Sequence, residues 1–324
     1  MIASEPRSSG SGGRWIFVPT APRDSGFIFK SRLIFFARIT VAAAVLILLV
    51  RHLQPARLFS ALARMDWRFL LPAAVLIVPN IGIQVLKWWF LLRQANPRLS
   101  LGCAYDSLIV GYPLGFVTPG RLGEIGRAFY VRELNQFRTF KLVVIDKVTN
   151  LHITLLFGLV GLYTFTAAAL DGVLRLLLLA VLLFLTAGAI FAVATDRGIA
   201  RLMRKWVGLE RFGGLAFLKL YVFSGLFFLV YLSQLVCLVF GFHQTGLLPA
   251  SQAAASTFLV KTVLPISFSD LGIREGAAVF FFHRAGVPQA AAFTAAFLLF
   301  VINVLVPTLV GLPVLFKGIR EVRP

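Results

Sequence analysis

Six long apolar runs limit what this chain can fold into more than any other feature of its sequence. They span residues 33–50, 69–92, 142–166, 174–195, 219–241 and 289–316. An α-helix needs about 20 apolar residues to cross a hydrocarbon core of about 30 Å, and each run approaches or exceeds that length. With 59% hydrophobic residues, 14% charged residues and a mean hydropathy of +0.87, the sequence predicts an all-α, polytopic membrane protein.

The segment 111–127 does not fit a simple spanning helix. It starts as an apolar stretch, is interrupted by prolines and glycines, and then carries three charged side chains. The interrupting residues are Pro113, Pro119, Gly120 and Gly123, and the charged residues are Arg121, Glu124 and Arg127. Irregular backbone at membrane depth requires surrounding protein or a water-filled cavity, so this segment is predicted to form part of a site.

A second segment, 264–276, repeats this pattern. Pro265 and Gly272 interrupt it, and Asp270, Arg274 and Glu275 are its charged residues. A charged side chain at the centre of a bilayer costs about 2.5–3.5 kcal/mol even on insertion scales, so charges there rarely lack a role. The charged residues of both segments are therefore candidates for substrate binding and translocation.

If the two segments meet, their opposite charges can pair. We predict one pair between Glu124 and Arg274 and another between Glu275 and Arg127. These pairs would either serve the substrate or only lock helices together. For Arg121 and Arg127, anchoring at the cytoplasmic interface is the alternative interpretation.

Among the charged residues inside the apolar runs, three more are relevant to the site: Lys87, Asp146 and Lys147. Lys87 precedes Trp88 and Trp89, which are typical of a membrane interface, so its side chain is expected to extend to that interface. Asp146 and Lys147 lie near the start of the run 142–166 and are candidate neighbours of the charged segments.

Counting membrane crossings predicts six full spans and two re-entrant hairpins. Basic residues near both ends predict cytoplasmic termini, while the connections 167–172 and 242–246 lack Lys and Arg and predict external loops. The count closes only if residues 100–140 return to the cytoplasmic side and residues 250–288 to the outer side. Two broken hairpins entering from opposite faces are typical of an inverted repeat with its site near the midplane. Residues 1–30 predict a disordered basic tail, and residues 31–318 the transmembrane domain.

The net charge of +19 comes mainly from Lys and Arg between the apolar runs, which predicts contact with anionic lipid headgroups and not with nucleic acid. In residues 196–212 the basic side chains share one side of an amphipathic helix, predicted to lie on the cytoplasmic membrane surface. These basic residues are Arg197, Arg201, Arg204, Lys205 and Arg211.

Signatures of an enzyme or an ATP-driven pump are missing from the sequence. The four histidines do not form an H-E-x-x-H pair, and neither a G-x-S-x-G elbow nor a P-loop is present. Cys103 and Cys237 both lie in apolar surroundings and predict neither a disulfide nor a thiolate site. We therefore expect no catalytic residue, no metal and no cofactor.

The two broken segments resemble a known family, the lysylphosphatidylglycerol synthase transmembrane, or flippase-like, family. The resemblance rests on Pro-Gly-Arg-Leu-Gly-Glu at 119–124 followed by Arg127, and on Leu-Pro-Ile-Ser at 264–267 followed by Leu-Gly-Ile-Arg-Glu-Gly at 271–276. It covers roughly residues 33–317. Where many relatives have further glycines before the second Leu-Gly, this chain has Ser269 and Asp270.

The resemblance implies a multi-pass protein of the bacterial inner membrane, associated with lipid flipping or with the biosynthesis of polar or isoprenoid-linked lipids. Some relatives carry a cytosolic aminoacyltransferase domain that makes lysylated phosphatidylglycerol. Residues 1–324 contain no such domain, so that synthase activity is not expected here.

Three functions remain open at this point. The first is a lipid translocase that is not driven by ATP. The second is a membrane scaffold or accessory subunit for a lipid or polyprenyl-glycan biosynthesis enzyme, which would contact it through residues 197–211. The third is an intramembrane enzyme that uses Glu124 or Glu275 as an acid or base.

Overall fold

The fold is all-helical wherever the structure describes it. The computed structural model describes residues 63, 65–118, 120–166, 172–194, 205–206, 208, 213–264 and 269–320. The predicted tail 1–30 and the predicted first span 33–50 lie outside these residues. So do Pro119, Pro265 and the basic residues of 197–211 except Lys205, whose side chain is exposed.

The first half of the described chain contains four α-helices and one 3₁₀ helix. They are α1 (Trp67–Val75), α2 (Ile77–Ala95), α3 (Leu101–Phe116), the 3₁₀ helix (Leu122–Tyr130) and α4 (Gln136–Thr166). Helices α1 and α2 form one apolar stretch with a turn at Leu76, which follows Pro72 inside α1. Pro79, in the first turn of α2, has no N–H to donate to the Val75 carbonyl and its ring crowds that carbonyl, which accounts for the interruption after Val75.

The second half has a similar order of elements. After α5 (Gly172–Ala194) come α6 (Gly214–Phe240), α7 (Leu247–Val263), α8 (Ile273–Arg284), α9 (Gln289–Phe300), a π-helical turn (Val301–Leu305) and α10 (Val306–Arg320). Each half thus has a long helix, a pair of short segments and another long helical stretch.

Four candidate membrane spans are found among the described residues. They are Trp67–Ala95, Gln136–Thr164, Gly214–Phe240 and Gln289–Lys317, and they match four of the six predicted runs. The predicted span 174–195 corresponds to α5, whose apolar stretch Leu176–Gly188 is shorter than a span. The number of six full spans therefore stays a prediction.

The two pairs of short segments are hairpins. The first hairpin is α3 with the 3₁₀ helix, and the second hairpin is α7 with α8; in each, the two arms pack against one another. At 16 residues, α3 is about 24 Å long, and α7 at 17 residues is about 26 Å long. Each arm is therefore shorter than the hydrocarbon core of about 30 Å.

Each hairpin packs mainly against a span of the other half. Helix α3 lies against α10, and α7 lies against α4. Glycines allow both close approaches: a Cβ at Gly311 would be 2.4 Å from the Ile109 carbonyl oxygen, and one at Gly158 would be 2.6 Å from the Leu259 Cβ. Small residues at such contacts are typical of membrane helix packing, and this reciprocal exchange joins the two halves.

The first hairpin is also held together by glycines. The Gly123 N–H donates to Thr118 Oγ1 at 2.6 Å, and a Cβ at Gly123 would lie 2.0 Å from the Leu114 carbonyl oxygen. Pro113, by contrast, does not interrupt the segment as predicted, because α3 continues through it to Phe116. The turn begins only at Val117, so the break depends on the residues that follow.

Replacing Gly123 with alanine is expected to destabilise the first hairpin. The added methyl group meets a backbone carbonyl that cannot move aside as a flexible side chain would, and overpacking of this kind costs about 1–3 kcal/mol or more. Thermal unfolding of the detergent-purified protein measures the effect. Gly82→Ala is the matched control, because a Cβ there meets nothing within 4 Å. Equal melting temperatures for the two variants would contradict the packing described here.

Candidate functional site

The tips of the two hairpins share an unusual backbone conformation. Gly120 and Arg121 have φ angles of 54° and 56°, and Ser269 and Asp270 have φ angles of 49° and 63°. In each hairpin the two left-handed residues directly precede a Leu-Gly pair. The left-handed conformation costs a non-glycine residue roughly 1–2 kcal/mol. Strain of this kind persists where the surroundings enforce it and is concentrated at functional sites.

A first charge network lies at the tip of the first hairpin. Glu124 on the 3₁₀ helix pairs with Arg121 at 2.5 Å and also with Lys147 on α4. The Arg121 guanidinium lies 5.3 Å from the centre of the Tyr112 ring on α3. One carboxylate is thus shared by two cations.

A second charge network lies behind the first, between α2, α4 and the 3₁₀ helix. Asp146 pairs with Arg127 at 2.6 Å and with Lys87 at 3.0 Å. The Lys87 ammonium also donates to Thr149 Oγ1 at 2.8 Å and to Asn150 Oδ1 at 2.7 Å. Lys87 is only 1% exposed, so the prediction that its side chain extends to the membrane interface is wrong.

A third set of ion pairs belongs to the second hairpin. Arg274 donates to Glu275 Oε1 from Nη2 at 2.7 Å and from Nε at 3.1 Å, and both residues are 0% exposed. The other oxygen of Glu275 accepts the Gly272 N–H at 2.6 Å and so caps α8. Lys261 on α7 pairs with Asp270 at 3.5 Å.

The predicted ion pairs between the hairpins do not form. Glu124 pairs with Arg121 and not with Arg274, and Glu275 pairs with Arg274 and not with Arg127. The physical reason is local: Arg121 and Glu124 are three residues apart and Arg274 and Glu275 are adjacent. Each carboxylate therefore has a cation within its own hairpin.

The hairpin tips nevertheless come together. Arg121 of the first tip lies within electrostatic range of Asp270 of the second, and both Arg121 and Arg274 interact with Tyr231 on α6. Lys261 lies 5.0 Å from the centre of the Tyr231 ring. Charged side chains of both hairpins therefore lie near one aromatic side chain of α6.

At this meeting point lies a cavity of about 340 Å³, here called the central cavity. Its walls come from both hairpins and from α2, α4, α6 and the π-helical turn. The lining residues include the charged side chains of Arg121, Glu124, Lys147 and Lys261, the polar side chains of Asn80, Gln84, Asn150, Thr154, Thr262 and Asn303, and the aromatic side chains of Tyr112, Phe227, Phe228, Tyr231 and Phe258. An aromatic wall with a few convergent polar groups is typical of a small-molecule site.

The rim of the central cavity is apolar on one side. Val148 and Leu151 on α4 line the cavity and are 51% and 42% exposed. The cavity thus has a charged interior and a border that is compatible with acyl chains.

The residues predicted from sequence fall into different layers of this arrangement. Gly120, Arg121 and Glu124 line the central cavity. The others lie near it without lining it: Arg127 in the second network, Asp270 beside Lys261, and Arg274 and Glu275 in a fully buried pair. Gly123 and Gly272 lie at the tips. Gly123 allows a close approach of the backbone at Leu114, and Gly272 is the N-cap residue of α8.

Several residues of the site were not identified from the sequence: Tyr112 and Tyr231, which line the central cavity, and the buried Lys87 of the second charge network. A signal for Lys87 does exist. Asn80, Gln84 and Lys87 recur at spacings of four and three, which places them on one face of α2. A polar stripe along an apolar helix predicts a face turned toward protein or water, and not toward lipid.

The described residues contain no group of three or more His, Cys, Asp or Glu side chains that could hold a metal ion. The ionic centre consists instead of carboxylates paired with Arg and Lys. Chemically, such an arrangement can bind an anion through its cations and can hold those cations in place through its carboxylates.

Apolar spans and two hairpins with charged tips around a cavity define the class of this chain as a polytopic helical membrane protein with an internal polar site. A comparison with family models identifies it further: residues 35–311 match the lysylphosphatidylglycerol synthase TM region. The chain therefore belongs to that family, as the two broken segments indicated. Among curated proteins, none matches the chain.

Proposed function

We propose that the protein is a lipid translocase, or flippase, for an anionic lipid whose polar headgroup enters the central cavity while its acyl or isoprenoid chains stay in the bilayer. The observation that carries this proposal is the central cavity itself: among its described lining residues, the cations Arg121, Lys147 and Lys261 outnumber the one carboxylate, Glu124.

The charge balance around the cavity favours an anionic substrate. The three sets of ion pairs contain six cations and four carboxylates, which leaves a surplus of two positive charges. The cations are Lys87, Arg121, Arg127, Lys147, Lys261 and Arg274, and the carboxylates are Glu124, Asp146, Asp270 and Glu275. An uncompensated charge in a low-dielectric interior is costly, and a phosphate-bearing headgroup would compensate it.

The arrangement of Glu124 supports a mechanism of exchange. This carboxylate pairs with Arg121, whose guanidinium suits a phosphate through paired N–H groups. A headgroup phosphate would replace Glu124 as the partner of Arg121, and Lys147 would then retain Glu124. Glu124 would thus hold the Arg121 side chain in position for the phosphate, and Lys147 would keep Glu124 paired throughout the exchange.

The hairpins also support a topology for this function. Because their arms are shorter than the hydrocarbon core, we propose that both hairpins are re-entrant and enter from opposite faces as halves of an inverted repeat. Their reciprocal packing and their matching tips favour this arrangement. The proposed topology includes six full spans and cytoplasmic termini, and the proposed location is the bacterial inner membrane. Movement of lipid would involve no bond chemistry, and it would be equilibrative or ion-coupled.

Reconstitution into vesicles tests the proposal. Purified protein is incorporated into vesicles containing a trace of fluorescent phosphatidylglycerol, and the fraction of label accessible to an external quencher is followed over time. We expect the leaflet exchange rate to rise at least about tenfold over protein-free vesicles, because the headgroup no longer crosses hydrocarbon unaided. A heat-inactivated sample is the control. No acceleration for phosphatidylglycerol, phosphatidic acid or a polyprenyl phosphate would refute the proposal.

The alternative is a scaffold for a lipid or polyprenyl-glycan biosynthesis enzyme. Its basic segment, 197–211, lies almost entirely outside the described residues. The same experiment separates the two functions, since a scaffold would leave leaflet exchange at the rate of protein-free vesicles.

A further inference from the structure

A second and larger concave region lies between α2 and α6, away from the hairpin tips. It has a volume of about 1100 Å³ and is here called the basic groove. Its lining residues are Leu86, Trp89, Phe90, Arg93, Gln94, Pro97, Arg138, Gly208, Leu218, Lys219, Val222 and Phe223. It shares no lining residue with the central cavity.

The basic groove and the central cavity lie at different depths along the same two helices. Helices α2 and α6 are antiparallel, since Asn80 contacts Gln234 and Phe90 contacts Phe223. From Gln84 at the cavity to Arg93 at the groove, α2 advances roughly 13 Å at 1.5 Å per residue. That distance is close to half of a hydrocarbon core, so if the cavity is near mid-depth, the groove lies at the membrane surface.

The chemistry of the groove is divided into two parts. Its apolar wall includes Leu86, Leu218 and Val222, whose side chains are exposed although they are large and hydrophobic. Its polar part has three basic side chains, and no acidic side chain is among its described lining residues. A surface that is apolar along one part and cationic along another matches an amphiphile with an anionic head.

Among the described residues, the three basic side chains of the groove contact aromatic rings and carbonyl oxygens, and none of them pairs with a carboxylate. Arg93 lies 4.9 Å from the Trp89 ring centre and donates from Nε to the Pro97 carbonyl oxygen at 3.2 Å. Lys219 lies 5.7 Å from the centre of the Phe90 ring. Arg138 donates from Nη2 to the Gly208 carbonyl oxygen at 2.8 Å, and its buried Nε has no hydrogen-bond partner. The positive charges of all three therefore remain uncompensated within the described groove.

We propose that the basic groove is a binding site for an anionic phospholipid, separate from the central cavity. The phosphate lies among Arg93, Arg138 and Lys219, and an acyl chain lies along the apolar wall formed by α2 and α6. Guanidinium groups bind phosphate through several hydrogen bonds, and each cation near a membrane surface adds attraction for anionic lipid. This site does not require that the protein translocates lipid.

Lipid binding to the full-length protein in detergent tests this site. The affinity for short-chain phosphatidylglycerol and for short-chain phosphatidylcholine is measured by native mass spectrometry. The first variant combines Arg93→Gln, Arg138→Gln and Lys219→Gln. We expect its affinity for phosphatidylglycerol to fall at least about tenfold while phosphatidylcholine binding changes little, because the variant removes charge and keeps the apolar wall.

Two further variants keep the proposal falsifiable. Val222→Trp fills the groove without changing its charge and is expected to weaken binding of both lipids. Arg68→Gln, Arg284→Gln and Lys317→Gln together remove three exposed charges away from the groove, and this control should retain phosphatidylglycerol binding. An equal loss in the control would show diffuse electrostatic attraction and overturn the site. Unchanged binding in the first variant, with loss in Arg121→Gln, would assign the lipid to the central cavity. Leaflet exchange is measured separately, so failure here leaves the proposed function standing.

Discussion

Replacing Asp146 with alanine is expected to lower the yield and stability of the folded protein more than any other single substitution among the charged residues. Asp146 is the only carboxylate that pairs with Lys87 and with Arg127 in the described structure. Its removal would leave two buried cations without a counter-charge. Breaking a buried ion pair by removing one partner costs about 3–5 kcal/mol, and here one carboxylate serves two partners.

The yield of monodisperse protein after detergent extraction and its thermal unfolding measure this effect. Asp106→Ala is the matched control, since Asp106 is exposed on α3. Lys87→Met is expected to be milder than Asp146→Ala, because it removes the surplus cation and leaves Asp146 paired with Arg127. The reverse order of these two variants would mean that the second network is not balanced by Asp146.

The sequence was sufficient to locate the segments of the fold that carry the site. Proline, glycine and charge in 111–127 and 264–276 are incompatible with a lipid-facing helix, so a break in each could be predicted from local chemistry alone. The structure has positive φ angles at Gly120 and Gly272, two of the glycines at which the sequence predicted a break. The same local reasoning failed at Pro113, because a proline inside a helix is compatible with continuation when neighbouring helices surround it.

Partners of buried charges could not be predicted in the same way. The pairs of Glu124 with Arg274 and of Glu275 with Arg127 assumed that opposite charges on two tips must neutralise each other. Pairing between the tips depends on the distance between the side chains, which is set by the rotation of each helix about its axis. It also depends on whether a cation closer in the chain already pairs with the carboxylate. Lys87 shows the same difficulty, since the neighbouring tryptophans predicted an interface while the burial of its side chain was decided by α4.

Removing two cations from the central cavity is expected to abolish most transport of anionic lipid without unfolding the protein. The variant combines Arg121→Gln with Lys261→Gln. Glu124 retains Lys147 as a partner in this variant, and Asp270 retains its electrostatic interaction with Arg274. The double substitution should therefore weaken binding of the substrate headgroup more than it destabilises the fold.

The expected size follows from the energy of close charge pairs. Coupling energies of about 1.5 kcal/mol or more per pair correspond to at least about tenfold each, so the protein-dependent part of the exchange rate of phosphatidylglycerol, after subtraction of the rate in protein-free vesicles, should fall by about 100-fold. Exchange of phosphatidylcholine should slow less, because its headgroup carries no net charge. The control is Arg98→Gln with Lys317→Gln, which removes two exposed charges outside the cavity.

The comparison between the two lipids decides what these cations do. If Arg121 and Lys261 only hold the hairpin tips together, the double variant will slow both lipids equally and lower the melting temperature as well. If they bind the headgroup, the selectivity between the lipids will change while the melting temperature stays near that of the unaltered protein. An unchanged rate for phosphatidylglycerol would remove the central cavity from the path of the lipid, since a headgroup that passes through it cannot avoid both side chains.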